Sequence, residues 1–139
     1  MAHLPFPFPP MPPTTLLPYS FSAPVVHGDG YGHVLGYPTA NVDAAASGVG
    51  RAGLQEGVYA GYVRLEDGQR YKAGMVIGSG NIHGQPKVEA HLLGFEGDLY
   101  GRELSFEVVR YLRPYRVFDK VDELIIQIGK DMEEVGRLP

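Results

Sequence analysis

A chain of 139 residues, 44% of them hydrophobic, is long enough for one domain with its own core. A formal net charge of −4 argues against a nucleic-acid partner, which asks for a basic face. The absence of cysteine excludes a disulfide framework, a zinc–thiolate site and a thiol nucleophile, and no apolar run approaches transmembrane length.

Residues 1–23 read as a proline-rich tail ahead of a domain at 24–139. Pro5-Phe6-Pro7-Phe8-Pro9-Pro10 and Pro12-Pro13 favour extended polyproline backbone. The segment lacks the basic start and continuous apolar centre of a signal peptide. A loose tail or a strap across the domain is the plain reading, and a proline-motif ligand is the sharper one.

From Val25 the pattern is mostly β. Val25-Val26-His27 is a short strand, followed by the glycine run Gly28-Asp29-Gly30-Tyr31-Gly32. Tyr37 to Val42 is extended, because Pro38 has a fixed φ and pushes Tyr37 out of the helical region. Asp43 to Glu56, rich in Ala, Gly and Ser, reads as a loop. Gly57 to Leu65 and Arg70 to Ile77 form a hairpin around the Asp67-Gly68 turn signal. Gly78 to Pro86 is a loop, and Lys87 to Phe95 and Glu103 to Leu112 alternate as strands. Only the end is helical. Val121, Leu124, Ile125, Ile128, Met132 and Val135 recur at helical spacing after Asp119 as N-cap, with Gly136 as the residue that stops the helix. Short antiparallel strands and one closing helix predict a small β-barrel closed or plugged by that helix, and exclude a doubly wound sheet.

The residue chemistry is most specific at Gly36-Tyr37-Pro38-Thr39-Ala40-Asn41. In extended backbone Thr39 and Asn41 share a face, and two neutral oxygens side by side suit a hard cation that borrows phosphate oxygens. There is no G-x-x-x-x-G-K-[ST], and His33 stands where a dinucleotide fingerprint needs glycine. The glycine run can still bring backbone N–H groups to phosphate, although a glycine-rich turn is the plainer reading. Glu89 shares a strand face with His91 and Leu93. It is either a general base within reach of a hydroxyl or a solvent-facing carboxylate. Arg113 and Arg116, with Tyr115 and Phe118, can hold a planar, partly anionic ligand, or they form a surface loop with Phe118 as a hydrophobic staple. The five histidines show no metal-site spacing.

Taken in order, Val25 to Gly30, Leu35 to Asn41, Val88-Glu89-Ala90-His91-Leu92-Leu93, Asp98-Leu99-Tyr100-Gly101, Leu112-Arg113-Pro114 and Phe118-Asp119 resemble the riboflavin kinases (flavokinases). The resemblance runs from about Pro24 to Val135. It implies a six-stranded Greek-key barrel with a C-terminal amphipathic helix. The implied reaction moves the ATP γ-phosphoryl group to the 5′-hydroxyl of riboflavin, giving FMN and ADP. Thr39 and Asn41 would bind Mg²⁺, with Zn²⁺ or Mn²⁺ as alternatives, together with nucleotide phosphate, and Glu89 would be the base. Gly28, Gly30, His33 and Gly36 would cover ATP with help from Leu92 and Tyr100, and Arg113, Arg116 and Phe118 would face the flavin. Two departures stand out. His33 occupies a position usually held by Lys or Arg, and Ser79-Gly80-Asn81 replaces a Pro-Thr-containing segment. The expectation is a stand-alone, monomeric, cytoplasmic kinase with small-molecule partners and neither nucleic acid nor membrane. The competing reading is a catalytically impaired flavin- or nucleotide-binding module, against which Thr39, Asn41 and Glu89 together argue.

Overall fold

The computed structural model describes residues 17–27, 39–80 and 86–139. They form six strands: β1 (Tyr19–Val26), β2 (Thr39–Val42), β3 (Gly57–Arg64), β4 (Arg70–Gly80), β5 (Pro86–Leu92) and β6 (Glu103–Arg113). Among the described residues there are also three helices: α1 (Ala44–Ser47), α2 (Val49–Ala52) and α3 (Val121–Gly136). The strands close into an antiparallel barrel in the order β1-β2-β5-β4-β3-β6. β3, β4 and β5 follow one another in space, and β6 returns to lie beside β3, which is the Greek-key arrangement. The β3–β4 turn is the expected one: Leu65 N–H donates to the Gln69 carbonyl at 2.9 Å, and Gly68 takes a φ of +91°.

Side-chain alternation fills the barrel. Ala23 and Val25, Ala40 and Val42, and Val88, Ala90 and Leu92 all point inwards and are buried. β3 departs from alternation because both of its faces are covered. Tyr59 and Val63 belong to the barrel core, while Ala60 and Tyr62 pack with Ile128, Met132, Val135 and Leu138 of the C-terminal segment. The helical stripe legible in the sequence is therefore the strip that docks α3 on the outside of the barrel.

Three expectations need correction. The first strand begins at Tyr19, so residues 19–23, assigned above to the tail, are barrel strand paired with β6. Phe21 and Ala23 alternate with exposed Ser20 and Ser22, which is a strand pattern hidden by the proline-rich composition around it. The stretch Asp43 to Glu56 carries two one-turn helices in place of a loop. Asp43 caps α1 by accepting from Ala46 N–H at 3.1 Å, and Gly48 and Gly53 end α1 and α2 with φ of +71° and +78°. Lys120 occupies the N-cap position of α3 instead of Asp119, and Gly136 is the last helical residue before Arg137. Asp122 and Glu123 do lie in the first turn, where the helix dipole favours them. No helix among the described residues is long and apolar enough to cross a membrane.

Candidate active site

The site grows out of the β2–β5 ladder. Thr39 pairs with His91, Ala40 with Ala90, Asn41 with Glu89 and Val42 with Val88. Residues directly opposite in an antiparallel pair share a face. The alanines and valines go into the core, so Thr39, Asn41, Glu89 and His91 are together on the outer wall. Thr39 Oγ1 lies 3.1 Å from His91 Nδ1. The Glu89 carboxylate lies 3.9 Å from His91 Nε2 and 3.7 Å from Lys87 Nζ, and its side chain is 16% exposed. The sequence reading left Glu89 between a base and a solvent-facing residue, and it is neither solvent-facing nor part of the core.

A pocket of about 350 Å³ opens beside this wall. Its floor is Gly74 and Val76 of β4 with Lys87, Glu89 and His91 of β5. One side is α3, through Leu124, Ile128, Asp131 and Met132, and the other is the end of β6 and the segment after it, with Arg113, Arg116 and Phe118. Glycine makes the closeness of these walls feasible. A Cβ on Gly74 would lie 3.3 Å from Met132 Sδ, and one on Gly78 would lie 2.6 Å from the Tyr115 ring. Helix and loop therefore rest directly on strand backbone.

Charge in the pocket is organised in pairs. Arg113 donates from Nε and Nη2 to the two oxygens of Asp131, at 2.9 and 2.8 Å, and Gln127 Nε2 donates to the same carboxylate at 3.0 Å. The Arg116 guanidinium stands 4.4 Å from the centre of the Phe118 ring. His91 is 4% exposed. Burial pushes its pKa below the usual histidine value and nearby Lys87 adds to that, while the carboxylates of Glu89 and Asp131 pull the other way. A neutral ring that accepts from Thr39 at Nδ1 carries its proton on Nε2, towards Glu89.

The structure thus brings Thr39, Asn41 and Glu89 onto one wall, and Arg113, Arg116 and Phe118 onto the opposite side of the adjoining pocket. Leu92 is a correction. It points away from Glu89 into the barrel and is fully buried, so its side chain cannot cover a nucleotide. Tyr100 is half exposed and stacks on His27 at 3.6 Å, at the end of β1 from which the glycine run departs. Gly28, Gly30, His33 and Gly36 lie outside the described residues. Lys87, His91 and Asp131 were not singled out from sequence. Asp131 had a signal: it falls three residues after Ile128 and four before Val135, so a carboxylate interrupts the buried stripe.

The donor chemistry fits a hard divalent cation. Among the described residues no cluster of three His, Cys, Asp or Glu side chains could hold a metal by itself. The hydroxyl of Thr39 and the amide of Asn41, with the Glu89 carboxylate opposite, supply oxygens suited to an ion that completes its shell with water and phosphate.

Comparison with known proteins identifies the family and the fold. The family model described as "Flavokinase: Riboflavin kinase" matches residues 15–138. The human protein named riboflavin kinase is 35% identical over 125 residues, covering 87% of this chain and 81% of the human one. Among solved structures, riboflavin kinase from Trypanosoma brucei superposes with a TM-score of 0.65 at 22% identity, over 85% of this chain and 74% of that one. A Streptococcus pneumoniae chain titled "Macrolide-efflux Protein" superposes with a TM-score of 0.74 at 28% identity. That match covers 88% of this chain and 40% of the other.

Proposed function

The chain belongs to the riboflavin kinase family, and we propose that it phosphorylates riboflavin at the groove between β5 and α3, with Glu89 as base. The family acts on riboflavin and ATP with a divalent metal, giving FMN and ADP. The observation that carries the assignment of residues is the register of β2 and β5. It sets Asn41 opposite Glu89, beside a pocket whose far side holds Arg113, Arg116 and Phe118. The volume of about 350 Å³ falls in the range of small-molecule pockets, roughly 300–1,000 Å³.

Riboflavin lies in that pocket with its planar ring against Phe118 and the apolar side of α3, and its ribityl 5′-hydroxyl at Glu89. Arg113 and Arg116 supply N–H donors to the polar edge of the ring. Thr39 and Asn41 hold Mg²⁺ together with nucleotide phosphate. When bound, the cation neutralises the charge that the transferring phosphoryl group spreads over its oxygens. Gly28, Gly30, His33 and Gly36, with Tyr100, cover the nucleotide. The hydroxyl oxygen forms its bond to the γ-phosphorus as the bond from that phosphorus to the β,γ-bridging oxygen breaks. Glu89 takes the hydroxyl proton and ADP leaves. His91 braces both halves of the wall, being 3.1 Å from the Thr39 hydroxyl and 3.9 Å from the Glu89 carboxylate. The same proposal has the protein act as a cytoplasmic monomer with neither nucleic-acid nor membrane partner; the acidic balance supports the absence of a nucleic-acid partner.

The test is chromatographic. Protein is mixed with riboflavin, ATP and MgCl₂, and FMN is followed beside Glu89→Gln and Asn41→Ala, with Zn²⁺ and Mn²⁺ as further arms. FMN from the wild type and its loss in both variants is the expected result. Absence of FMN under every metal, with flavin binding retained, would return the binding-module reading. Wild-type turnover by Glu89→Gln would remove its role as base and leave the family untouched.

A further inference from the structure

We propose that Asp131 is a positioning residue for the acceptor site, holding the Arg113 guanidinium in the orientation that receives the flavin ring. The inference rests on the kinase reading above and adds a residue of α3 that touches neither reacting oxygen nor phosphate.

A carboxylate in the buried stripe of an amphipathic helix is costly unless it is paired. Asp131 is 7% exposed and shares that stripe with Ile128, Met132 and Val135. An apolar residue there would dock the helix at lower cost. What the carboxylate provides instead is geometry. Both of its oxygens are engaged by Arg113, at 2.9 and 2.8 Å, in the fork-to-fork pairing that only a planar guanidinium makes. Gln127, one turn earlier, donates at 3.0 Å to Oδ1, the oxygen that also accepts from Arg113 Nε. Arg113 Nη1 also donates to the Pro114 carbonyl at 3.1 Å. Three of the five guanidinium N–H groups are thereby engaged, and one on each terminal nitrogen remains for a ligand.

Two consequences follow from the charge. Asp131 neutralises Arg113, so this guanidinium offers oriented N–H donors with its own charge balanced, which suits the neutral carbonyl edge of a flavin. Arg113 is also the last residue of β6, where the strand gives way to the segment carrying Arg116 and Phe118. Pinning its side chain to α3 fixes the point from which that segment leaves the barrel.

The experiment measures riboflavin affinity by the change in flavin fluorescence on binding, alongside steady-state KM and kcat for riboflavin and for ATP. Wild type, Asp131→Asn, Arg113→Ala and the double variant are compared, with thermal unfolding as the control for folding. Asp131→Asn is expected to raise both the Kd and the KM for riboflavin about tenfold or more, leaving the KM for ATP within about twofold of wild type. On the Arg113→Ala background it is expected to add nothing, because its effect runs through the guanidinium. Unchanged riboflavin Kd and KM in Asp131→Asn would overturn the inference, as would an undiminished effect on the Arg113→Ala background. Should Asp131→Asn not fold, Gln127→Ala loosens the same carboxylate. A smaller rise in riboflavin KM is then expected, and an unchanged KM overturns the inference. A wild type that neither binds riboflavin nor forms FMN overturns the kinase reading and this inference with it. A wild type that does both, matched by the variant, overturns this inference alone.

Discussion

The two sides of the pocket are built by different means. On the strand side, Glu89 and His91 sit on β5, which has main-chain ladders to β2 and to β4. Their positions follow from backbone hydrogen bonds and would survive the loss of any single side chain. On the helix and loop side the ladder ends at Arg113, which pairs with Val58 of β3, and side chains hold what lies beyond it. Arg113 is held by Asp131, Arg116 lies over Phe118, and Tyr115 rests on Gly78. Here each contact depends on one pair, and Val117 beside them is 76% exposed. The difference assigns labour. Chemistry that tolerates no displacement sits on the rigid wall, while ligand binding is left to the side that side chains hold in place.

The largest expected effect tests the rigid wall. Glu89→Gln should lower kcat by about 10²- to 10⁴-fold while leaving riboflavin Kd near wild type. A variant that loses binding instead of turnover would erase the distinction between the two sides. Next comes the docking of α3. Met132 is 6% exposed and lies against Gly74, so Met132→Ala should cost about 2–5 kcal/mol of stability in denaturant unfolding. A loss well under that range would mean the helix is not seated as described.

A smaller effect should come from Gly78→Ala. The added methyl would meet the Tyr115 ring at 2.6 Å, so the ring and the segment behind it must shift. Riboflavin KM should rise several-fold with kcat little changed, as measured by initial rates. A fall in kcat with KM intact would show that the loop, too, positions the reacting groups.

The smallest effect concerns pH. Burial holds the native pKa of His91 below its unfolded value, so the unfolded chain binds the proton more readily. The sign follows. This contribution is fully present above the ordinary histidine value of about 6.5 and is lost as pH falls through it towards the depressed native value. Glu89 and Asp131 facing the ring moderate the slope, and Lys87 steepens it. Thermal unfolding of metal-free protein between about pH 7.5 and 5 should show a drop that His91→Gln reduces. Parallel curves for the two proteins would remove this role.

Much of the site was legible before folding was considered. Thr39 and Asn41 share a face because strand side chains alternate, and Glu89 shares a face with His91 for the same reason. Other parts were hidden for physical reasons. Serine and proline around Tyr19 masked a strand whose pairing partners in β6 lie 79 to 89 residues later, from Pro24↔Glu103 to Tyr19↔Val108. Leu92 sits one residue beyond His91, and alternation alone would have turned it into the core. The helix stripe was read from its apolar members, so the carboxylate of Asp131 within it passed unseen.

The sequence by itself determined the class of fold, the family and the residue types able to handle a cation and a proton, because these depend on periodicity and on chemistry carried in short segments. Only the tertiary structure decided which of those residues meet. Antiparallel register set Asn41 against Glu89 across 48 residues of chain, and helix docking brought Asp131 to Arg113 over 18. Such pairings belong to strand register and helix seating, which no local pattern in the chain encodes.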